Sequence, residues 1–186
     1  MTALEPYPPE LLERARKIKL LLLDCDGVLT DGQVYFLPLP DGSLTETKGF
    51  NTQDGIALQW AYRVGIETGI ISGRGGLAVR ERARSAKMRY LFEGNTQKLP
   101  LFEQVLSDSG YDAEQIAYVG DDLTDLPIMK RAGLAAAPPD SRREALEAAH
   151  FVTHAGGGRG CVRDVIELLL KSQQRWEEIV LASYDV

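Results

Sequence analysis

The chain has 186 residues, 44% of them hydrophobic and 26% charged, with a formal net charge of −6 at pH 7. This length suits one globular domain with its own core, and the negative charge argues against a nucleic-acid backbone as partner. Two cysteines are too few for a disulfide framework or a four-ligand zinc site, and the apolar runs fall short of the ~20 residues that span a bilayer, so we expect a soluble protein of a reducing compartment.

Apolar runs and helix-period segments alternate along the chain after an acidic, proline-rich start that is unlike a signal peptide. A short helix is predicted over Leu11 to Lys17, and the predicted strands are Ile18–Leu23, Ile66–Ser72, Arg89–Phe92, Ile116–Gly120, Leu134–Ala136 and Phe151–Thr153. The later predicted helices are Gly55–Arg63, Gly75–Ala86, Lys98–Ser107, Asp125–Arg131, Arg142–Ala149 and Cys161–Ser183. This alternation indicates an α/β fold, a doubly wound, Rossmann-like parallel sheet. We expect an N-terminal segment, 1–17, and a single core domain, 18–186, with a long C-terminal helix.

One segment interrupts the alternation between the first strand and the first core helix. Two short β-like pieces, Gln33–Leu37 and Ser43–Thr47, flank the turn sequence Pro40-Asp41-Gly42. This pattern predicts a β-hairpin over 33–47, inserted after the first strand. Its apolar residues Val34–Leu37 would be a liability as an exposed edge. We expect them either to be buried in a closed oligomer or to fold onto the chain's own core.

Polar and charged residues stand where the predicted strands end. The stretch LLLLDCDGVLTDG, for example, carries the first strand into a pair of aspartates. The residues at the strand ends are Asp24, Asp26, Ser72, Lys98, Asp121, Asp122 and Asp125. Each alone has an ordinary explanation, such as a helix N-cap for the serine or a turn for the later acidic group. Together, at the edge where parallel strands place their carboxyl ends, they indicate a functional site.

The chemistry that requires this set is phosphoryl transfer through an aspartyl phosphate. Asp24 can attack phosphorus, and Asp26 can protonate the leaving oxygen and then activate water. Mg²⁺ prefers oxygen ligands and keeps several waters, so the carboxylates of Asp24 and Asp121 and the carbonyl of Asp26 suffice to hold it. Lys98 would neutralise the remaining negative charge, and Ser72 would hold phosphate oxygens.

The order DxDGxLT, serine, lysine and GDDxxD resembles the four motifs of the haloacid dehalogenase-like superfamily over roughly residues 18 to 170. The resemblance implies the same roles for the nucleophile, the acid/base, the serine, the lysine and the metal ligand. It adds Asp122 and Asp125 as supporting acidic residues. Many members carry a cap domain between these motifs, but neither gap in this chain has room for one. A capless enzyme has an open site, suited to a large substrate unless another subunit covers it.

Longer motifs resemble a particular family within this superfamily. They are GVLTDG (27–32), TKGFN (47–51), ISGR (71–74), AYVGDDLTDLPIM (117–129) and GGGRGCVRD (156–164). Together they resemble the 3-deoxy-D-manno-octulosonate 8-phosphate phosphatases. The resemblance implies a capless homotetramer assembled through its hairpins, with Mg²⁺ as cofactor. It also implies hydrolysis of a phosphorylated eight-carbon keto sugar acid for lipopolysaccharide synthesis, in the cytoplasm of a bacterium.

A sugar acid carries a carboxylate besides its phosphate, so cationic side chains are expected at the site. The candidate substrate-binding residues are Arg74, Lys48, Asn51, Asp54, Gly55 and Arg159. Each of the cations could instead be a surface charge or a helix-end contact. We interpret Gly156–Gly160 as a flexible turn that lets backbone approach the site rather than as a nucleotide pocket.

Two departures from the family's usual pattern leave alternatives open. Gln53 stands where arginine is common, and Glu93 replaces a usual glutamine. An alternative is therefore that the chain, like close relatives, acts on nine-carbon sialic-type sugar acid phosphates. A non-catalytic assembly domain of sialic-acid activation should have lost catalytic residues that this chain keeps. A signalling receiver would need an aspartate after the third strand, which ends in Phe92-Glu93-Gly94. A phosphomutase would need a cap to exclude water.

Overall fold

The structure is a computed structural model, and it describes residues 7–182. Its helices are α1 Pro9–Lys17, α2 Thr52–Arg63, α3 Leu77–Ser85, α4 Lys98–Ser109, α5 Leu126–Met129, α6 Arg143–Ala148, α7 Cys161–Ser172 and α8 Trp176–Ala182. Its strands are β1 Leu20–Leu23, β2 Tyr35–Pro38, β3 Leu44–Thr47, β4 Glu67–Ile71, β5 Tyr90–Phe92, β6 Ile116–Val119, β7 Leu134–Ala137 and β8 Phe151–Val152. Short 3₁₀ turns precede β6 and α5. Residues 1–6 of the predicted N-terminal segment lie outside the described residues.

Six strands form one parallel sheet in the order β5-β4-β1-β6-β7-β8. The leucines of β1 are buried on both faces, as in a sheet covered by helices on each side. Leu21 and Leu23 pack with residues of α1, α2 and α7, while Leu20 and Leu22 pack with residues of α4, α5 and α6. This arrangement confirms the predicted doubly wound α/β fold and places the carboxyl end of β1 at the centre of one sheet edge.

The predicted hairpin is a separate antiparallel pair, β2 and β3, with Tyr35 opposite Thr47. Its turn is closed by Asp41, whose Oδ1 accepts the backbone N–H of Ser43 at 2.9 Å. The apolar hairpin side chains are exposed, with Phe36 60% and Leu44 65% accessible. The hairpin therefore does not fold onto the core of its own chain, which removes one of the two expectations for its apolar residues.

No cap domain is inserted between residues 26 and 98, as the sequence predicted. The hairpin, α2 and β4 fill the first gap between motifs, and α3 and β5 fill the second. The crevice at the carboxyl ends of the strands is therefore left uncovered by the chain's own core.

The prediction of one long helix over Cys161–Ser183 was wrong. The helix ends at Ser172, and a second helix starts at Trp176, because Gln174 adopts a left-handed backbone with φ +59°. Ser183 lies outside the described residues. The first core helix also starts earlier than Gly55, because the Asn51 side chain accepts the N–H of Gln53 at 2.7 Å and caps the helix there.

Candidate active site

The acidic loops meet because the chain turns sharply after β1. The backbone N–H of Asp24 donates to the carbonyl of Val119 at 2.9 Å, which extends the β1–β6 pairing by one residue. A tight turn, Cys25–Leu29, follows, and Gly27 has φ +90°. A Cβ atom on Gly27 would lie 2.2 Å from Oδ2 of Asp121, so only glycine lets the two acidic loops approach this closely.

A crevice of about 450 Å³ opens where the predicted strand ends meet. Its lining residues are Asp24, Asp26, Gly73, Arg74, Thr96, Lys98, Asp121, Asp122 and Thr124. The sequence motifs did not single out the two threonines, although each stands two residues from a residue that was predicted. Ser72 is fully buried next to this crevice, and its Oγ accepts the backbone N–H of Arg74 at 3.2 Å.

Lys98 joins the nucleophile candidate to a second carboxylate. Its Nζ lies 2.7 Å from Oδ1 of Asp24 and 2.7 Å from Oδ1 of Asp125, and the residue is buried. Burial alone would lower the pKa of Lys98, but the two carboxylates outweigh it and raise that pKa above its ordinary value. The ammonium therefore stays charged and fixes the orientation of Asp24.

Asp125 organises the site and has no exposed surface. Its Oδ1 accepts hydrogen bonds from Lys98 and from the hydroxyl of Tyr118, the latter at 2.6 Å. Its Oδ2 accepts the backbone N–H groups of Asp121 and Asp122 at 3.0 and 3.1 Å. Four donors saturate the carboxylate, so it holds the lysine and the acidic loop in place and has no free acceptor for a metal. The sequence motifs did not predict the contribution of Tyr118.

The carboxyl groups of Asp24 and Asp121 lie close together at this crevice. Oxygens of Asp24, Asp121 and Asp125 lie within 4.8 Å of one another. Burial and then the Asp125 carboxylate raise the pKa of Asp24, and burial followed by Asp24 raises that of Asp121. Oδ1 of Asp121 is buried without a hydrogen-bond partner among residues 7–182. A buried, unpartnered oxygen beside a second carboxylate suits a hard divalent cation.

Asp26 is held by a different cation, Lys48, which follows β3. Nζ of Lys48 donates to Oδ1 and Oδ2 of Asp26 at 2.7 and 2.9 Å. Oε1 of Glu46 lies 3.5 Å from the same ammonium. Lys48, predicted to bind substrate, thus contacts the predicted acid/base residue. Arg74 lines the crevice with its side chain 59% exposed, and its Nη1 lies 3.6 Å from Oε2 of Glu46.

The other predicted substrate-binding residues do not line the crevice. Asn51 caps α2, and the buried Asp54 accepts the backbone N–H of Arg163 at 2.8 Å at the start of α7. Burial, the dominant effect, raises the pKa of Asp54 to about 6. Gly55 leaves space for Arg82, whose Nη1 would lie 2.3 Å from an added Cβ. The exposed Arg159 belongs to the glycine-rich loop.

That loop packs against the turn that carries the nucleophile candidate. The N–H of Gly158 donates to the carbonyl of Val28 at 2.8 Å, and a Cβ on Gly157 would lie 1.9 Å from the carbonyl oxygen of Gly27. The glycines therefore allow two backbones to touch. Burial raises the pKa of Cys25, in the same turn, to about 12, which favours a buried packing residue over a reactive thiol.

Glu93, one of the departures from the family pattern, also has a structural explanation. Its Oε1 accepts the N–H of Gly76 at 2.9 Å, and its Oε2 accepts Nε of Arg80 at 2.8 Å. It thereby fixes the loop between Ser72 and α3. Gly75 is part of the same fit, because an added Cβ there would lie 2.7 Å from Oε1 of Glu93.

The fold and site together define a haloacid dehalogenase-like hydrolase. A family model with that description, haloacid dehalogenase-like hydrolase, matches residues 86–157. The 3-deoxy-D-manno-octulosonate 8-phosphate phosphatase KdsC of Salmonella typhimurium is 38% identical over 177 residues, which are 95% of this chain and 92% of that protein. The Yersinia pestis protein of the same name is 36% identical over 176 residues, with the same coverage of each.

Solved structures agree with these relatives. A probable YrbI family phosphatase from Pseudomonas syringae has a TM-score of 0.89 at 40% identity and covers 95% of this chain and 98% of its own. The Moraxella catarrhalis 3-deoxy-D-manno-octulosonate 8-phosphate phosphatase, solved with magnesium, phosphate and KDO, has a TM-score of 0.89 at 34% identity and covers 95% and 99%. The chain belongs to the 3-deoxy-D-manno-octulosonate 8-phosphate phosphatase family and is a phosphoric monoester hydrolase. Within residues 7–182, no helix combines the length and apolar character of a membrane span.

Proposed function

We propose that this phosphatase hydrolyses 3-deoxy-D-manno-octulosonate 8-phosphate, with Mg²⁺ as cofactor and an aspartyl phosphate on Asp24 as intermediate. The observation that carries the proposal is the Asp24 carboxylate, held at 2.7 Å by the buried Lys98 and facing Asp121 across the crevice. The magnesium, phosphate and KDO of the Moraxella catarrhalis structure support the same substrate class and cofactor.

The unpartnered oxygen of Asp121, the Asp24 carboxylate and the carbonyl of Asp26 would hold Mg²⁺. When bound, the cation offsets the repulsion between these carboxylates and a phosphate dianion. Asp125 keeps the acidic loop in position, and Asp122 extends the negative rim of the crevice. The neighbouring lysines do not balance the negative charge of these carboxylates and the phosphate together. Substrate binding therefore depends on the bound cation.

The reaction needs two displacements at phosphorus. An oxygen of Asp24 forms a bond to phosphorus as the ester bond to the sugar breaks, and Asp26 gives a proton to the leaving sugar oxygen. A water molecule then attacks phosphorus and passes its proton to Asp26, and the bond between Asp24 and phosphorus breaks. Ser72 and Lys98 hold the phosphate oxygens while charge develops on them.

The shape of the site supports a large acidic substrate. The crevice is open at the carboxyl edge of the sheet, and Arg74 offers it an exposed guanidinium suited to a carboxylate. The other predicted substrate contacts would reach the substrate only after rearrangement or across a subunit boundary. They are Lys48, Asn51, Asp54, Gly55 and Arg159. We propose a cytoplasmic homotetramer in which the exposed hairpins pack together, serving lipopolysaccharide synthesis.

Phosphate release from a panel of phosphorylated sugars tests this proposal. The panel contains eight- and nine-carbon keto sugar acid phosphates and ordinary hexose phosphates, each measured with Mg²⁺ and with a chelator. We expect Mg²⁺-dependent release with a strong preference for the eight-carbon acid. Preference for the nine-carbon acid would keep the mechanism and reject the substrate. Folded protein that releases no phosphate from any member would reject the function and point to an assembly role.

A further inference from the structure

Lys48 stands where the hairpin returns to the core. It directly follows β3, its side chain is 2% exposed, and its ammonium donates to both carboxylate oxygens of Asp26. Asp26 lines the crevice, but Lys48 does not. The lysine therefore contacts the acid/base residue from the side that faces the hairpin, away from the space that a substrate would fill.

The charge of Lys48 is already matched by carboxylates. Asp26 takes two of its donors, and Oε1 of Glu46 lies 3.5 Å from Nζ. That Glu46 oxygen is itself buried and has no hydrogen-bond partner among residues 7–182. Glu46 and Lys48 are two positions apart at the end of β3, a spacing that places side chains on the same face of an extended chain. A buried ammonium between two carboxylates has no spare charge for a sugar carboxylate.

We propose that Lys48 is a positioning residue: it orients Asp26 toward the leaving oxygen of the substrate and couples that orientation to the hairpin. The inference rests on the proposed function and replaces the predicted role of Lys48 in substrate binding. The lysine forms and breaks no covalent bond. The hydrogen bonds from Nζ restrict Asp26 to one rotamer at the crevice, and the bond to one oxygen holds that rotamer while the other oxygen carries the proton for the leaving group.

A double-mutant cycle with two substrates tests this role. Under enzyme excess, release of the leaving group reports the first displacement alone. With the eight-carbon sugar acid phosphate, Lys48→Met should slow this step about tenfold to a hundredfold, because a misplaced acid no longer protonates the leaving oxygen. With p-nitrophenyl phosphate the step should change less than about threefold, since nitrophenolate leaves without a proton.

The cycle separates positioning from substrate binding. In an Asp26→Asn background, Lys48→Met should add less than about a threefold further loss, because both changes act on one group. Lys48→Arg, which keeps the cation, should retain most of the rate. Lys17→Met is the matched control: Lys17 pairs with Glu114 at 2.8 Å near the amino ends of β1 and β6, and its loss should leave both substrates unaffected.

Three outcomes would overturn the inference. A higher KM for the sugar acid phosphate that persists in the Asp26→Asn background would make Lys48 a substrate ligand. Equal losses for both leaving groups would indicate a general structural role, and so would a rate that Lys48→Arg fails to retain. If Lys48→Met does not fold, Lys48→Gln takes its place in the same cycle. Wild-type protein that does not cleave the sugar acid phosphate would reject the proposed function, whereas turnover without leaving-group dependence would reject only the role of Lys48.

Discussion

The two aspartates of the first loop are held by two lysines that lie in different parts of the molecule. Asp24 belongs to the Lys98 centre, formed with Lys98, Tyr118 and Asp125 among buried strand ends. Asp26 belongs to the hairpin side, formed with Lys48 and Glu46 and continuing into the hairpin 33–47, whose apolar side chains are exposed. The residues of the Lys98 centre are buried, whereas the hairpin side ends in exposed apolar side chains. Under the proposed function, attack on phosphorus would depend on the Lys98 centre and recognition of the sugar on the hairpin side.

Among the substitutions that test this comparison, Asp24→Asn should cause the largest loss of activity. The substitution conserves volume and removes the proposed nucleophile, so phosphate release should become undetectable for every substrate. Measured by released phosphate, the loss should be the same for sugar acid phosphates and for p-nitrophenyl phosphate. Thermal unfolding of the variant should show an intact fold, and retained turnover would reject Asp24 as the nucleophile.

Asp125→Asn should damage both activity and stability. In the variant, an amide NH₂ would face groups that donate hydrogen bonds to the wild-type carboxylate. Breaking a buried charge network costs about 3–5 kcal/mol. We expect at least a hundredfold loss of kcat, on the order of the worth of positioned catalytic groups, and a Tm lower by roughly 6–20 °C for a chain of this size. Glu114→Gln, which breaks the exposed pair with Lys17, is the stability control and should shift Tm by less than about 2 °C.

If Asp125→Asn left both kcat and Tm close to the wild-type values, the four hydrogen bonds of Asp125 would not be what organises the Lys98 centre. An effect on Tm alone would assign Asp125 to folding and remove it from catalysis.

Phe36→Ser combined with Leu44→Ser should affect the hairpin side only. These side chains are 60% and 65% exposed, so their replacement removes little packing within the chain. Sedimentation should show dissociation of the assembly, and kcat/KM for the sugar acid phosphate should fall about tenfold, as for loss of one well-placed contact. Turnover of p-nitrophenyl phosphate should persist at a similar rate. Equal losses for both substrates, or an unchanged assembly, would contradict the division into two regions.

Mg²⁺ should stabilise the protein more at high pH than at low pH. Because the pKa values of Asp24 and Asp121 are raised in the folded chain, the folded state binds more protons than the unfolded one, and metal-free stability should fall as pH rises above the ordinary aspartate range. A cation that binds the ionised carboxylates, present at a hundred times its Kd, adds about 2.7 kcal/mol to the free energy of unfolding. The Mg²⁺-induced rise in Tm should therefore be larger near about pH 8 than near about pH 5. An equal rise at both pH values would contradict this site.

The Lys98 centre was largely predictable from the sequence, and the hairpin side was not. Parallel strands bring their carboxyl ends to one edge, so residues placed directly after β1 and β6 must meet. Lys98 was found in the same way, at the first position of α4. Tyr118 was missed because a tyrosine within a buried strand is first interpreted as packing, and only its contact with Asp125 reveals its polar role.

The pairing of Lys48 with Asp26 could not be predicted because it depends on how the hairpin leaves the core. The two positions are 22 apart in sequence, and no strand register links them. Asp54 illustrates the same difficulty: its position shortly after the TKGFN block suggested a ligand contact, and its carboxylate accepts a backbone N–H at the start of α7. The sequence places charged residues near a motif but does not show which partners they have within the chain.

The most direct test is to trap the phosphorylated enzyme. The protein is mixed with Mg²⁺ and 3-deoxy-D-manno-octulosonate 8-phosphate, reduced with borohydride during turnover, and digested for mass spectrometry. An acyl phosphate on Asp24 would be reduced to homoserine at position 24, and Asp26 would be unmodified. Homoserine at another position, or an unmodified Asp24 in protein that releases phosphate under the same conditions, would contradict the covalent role of Asp24.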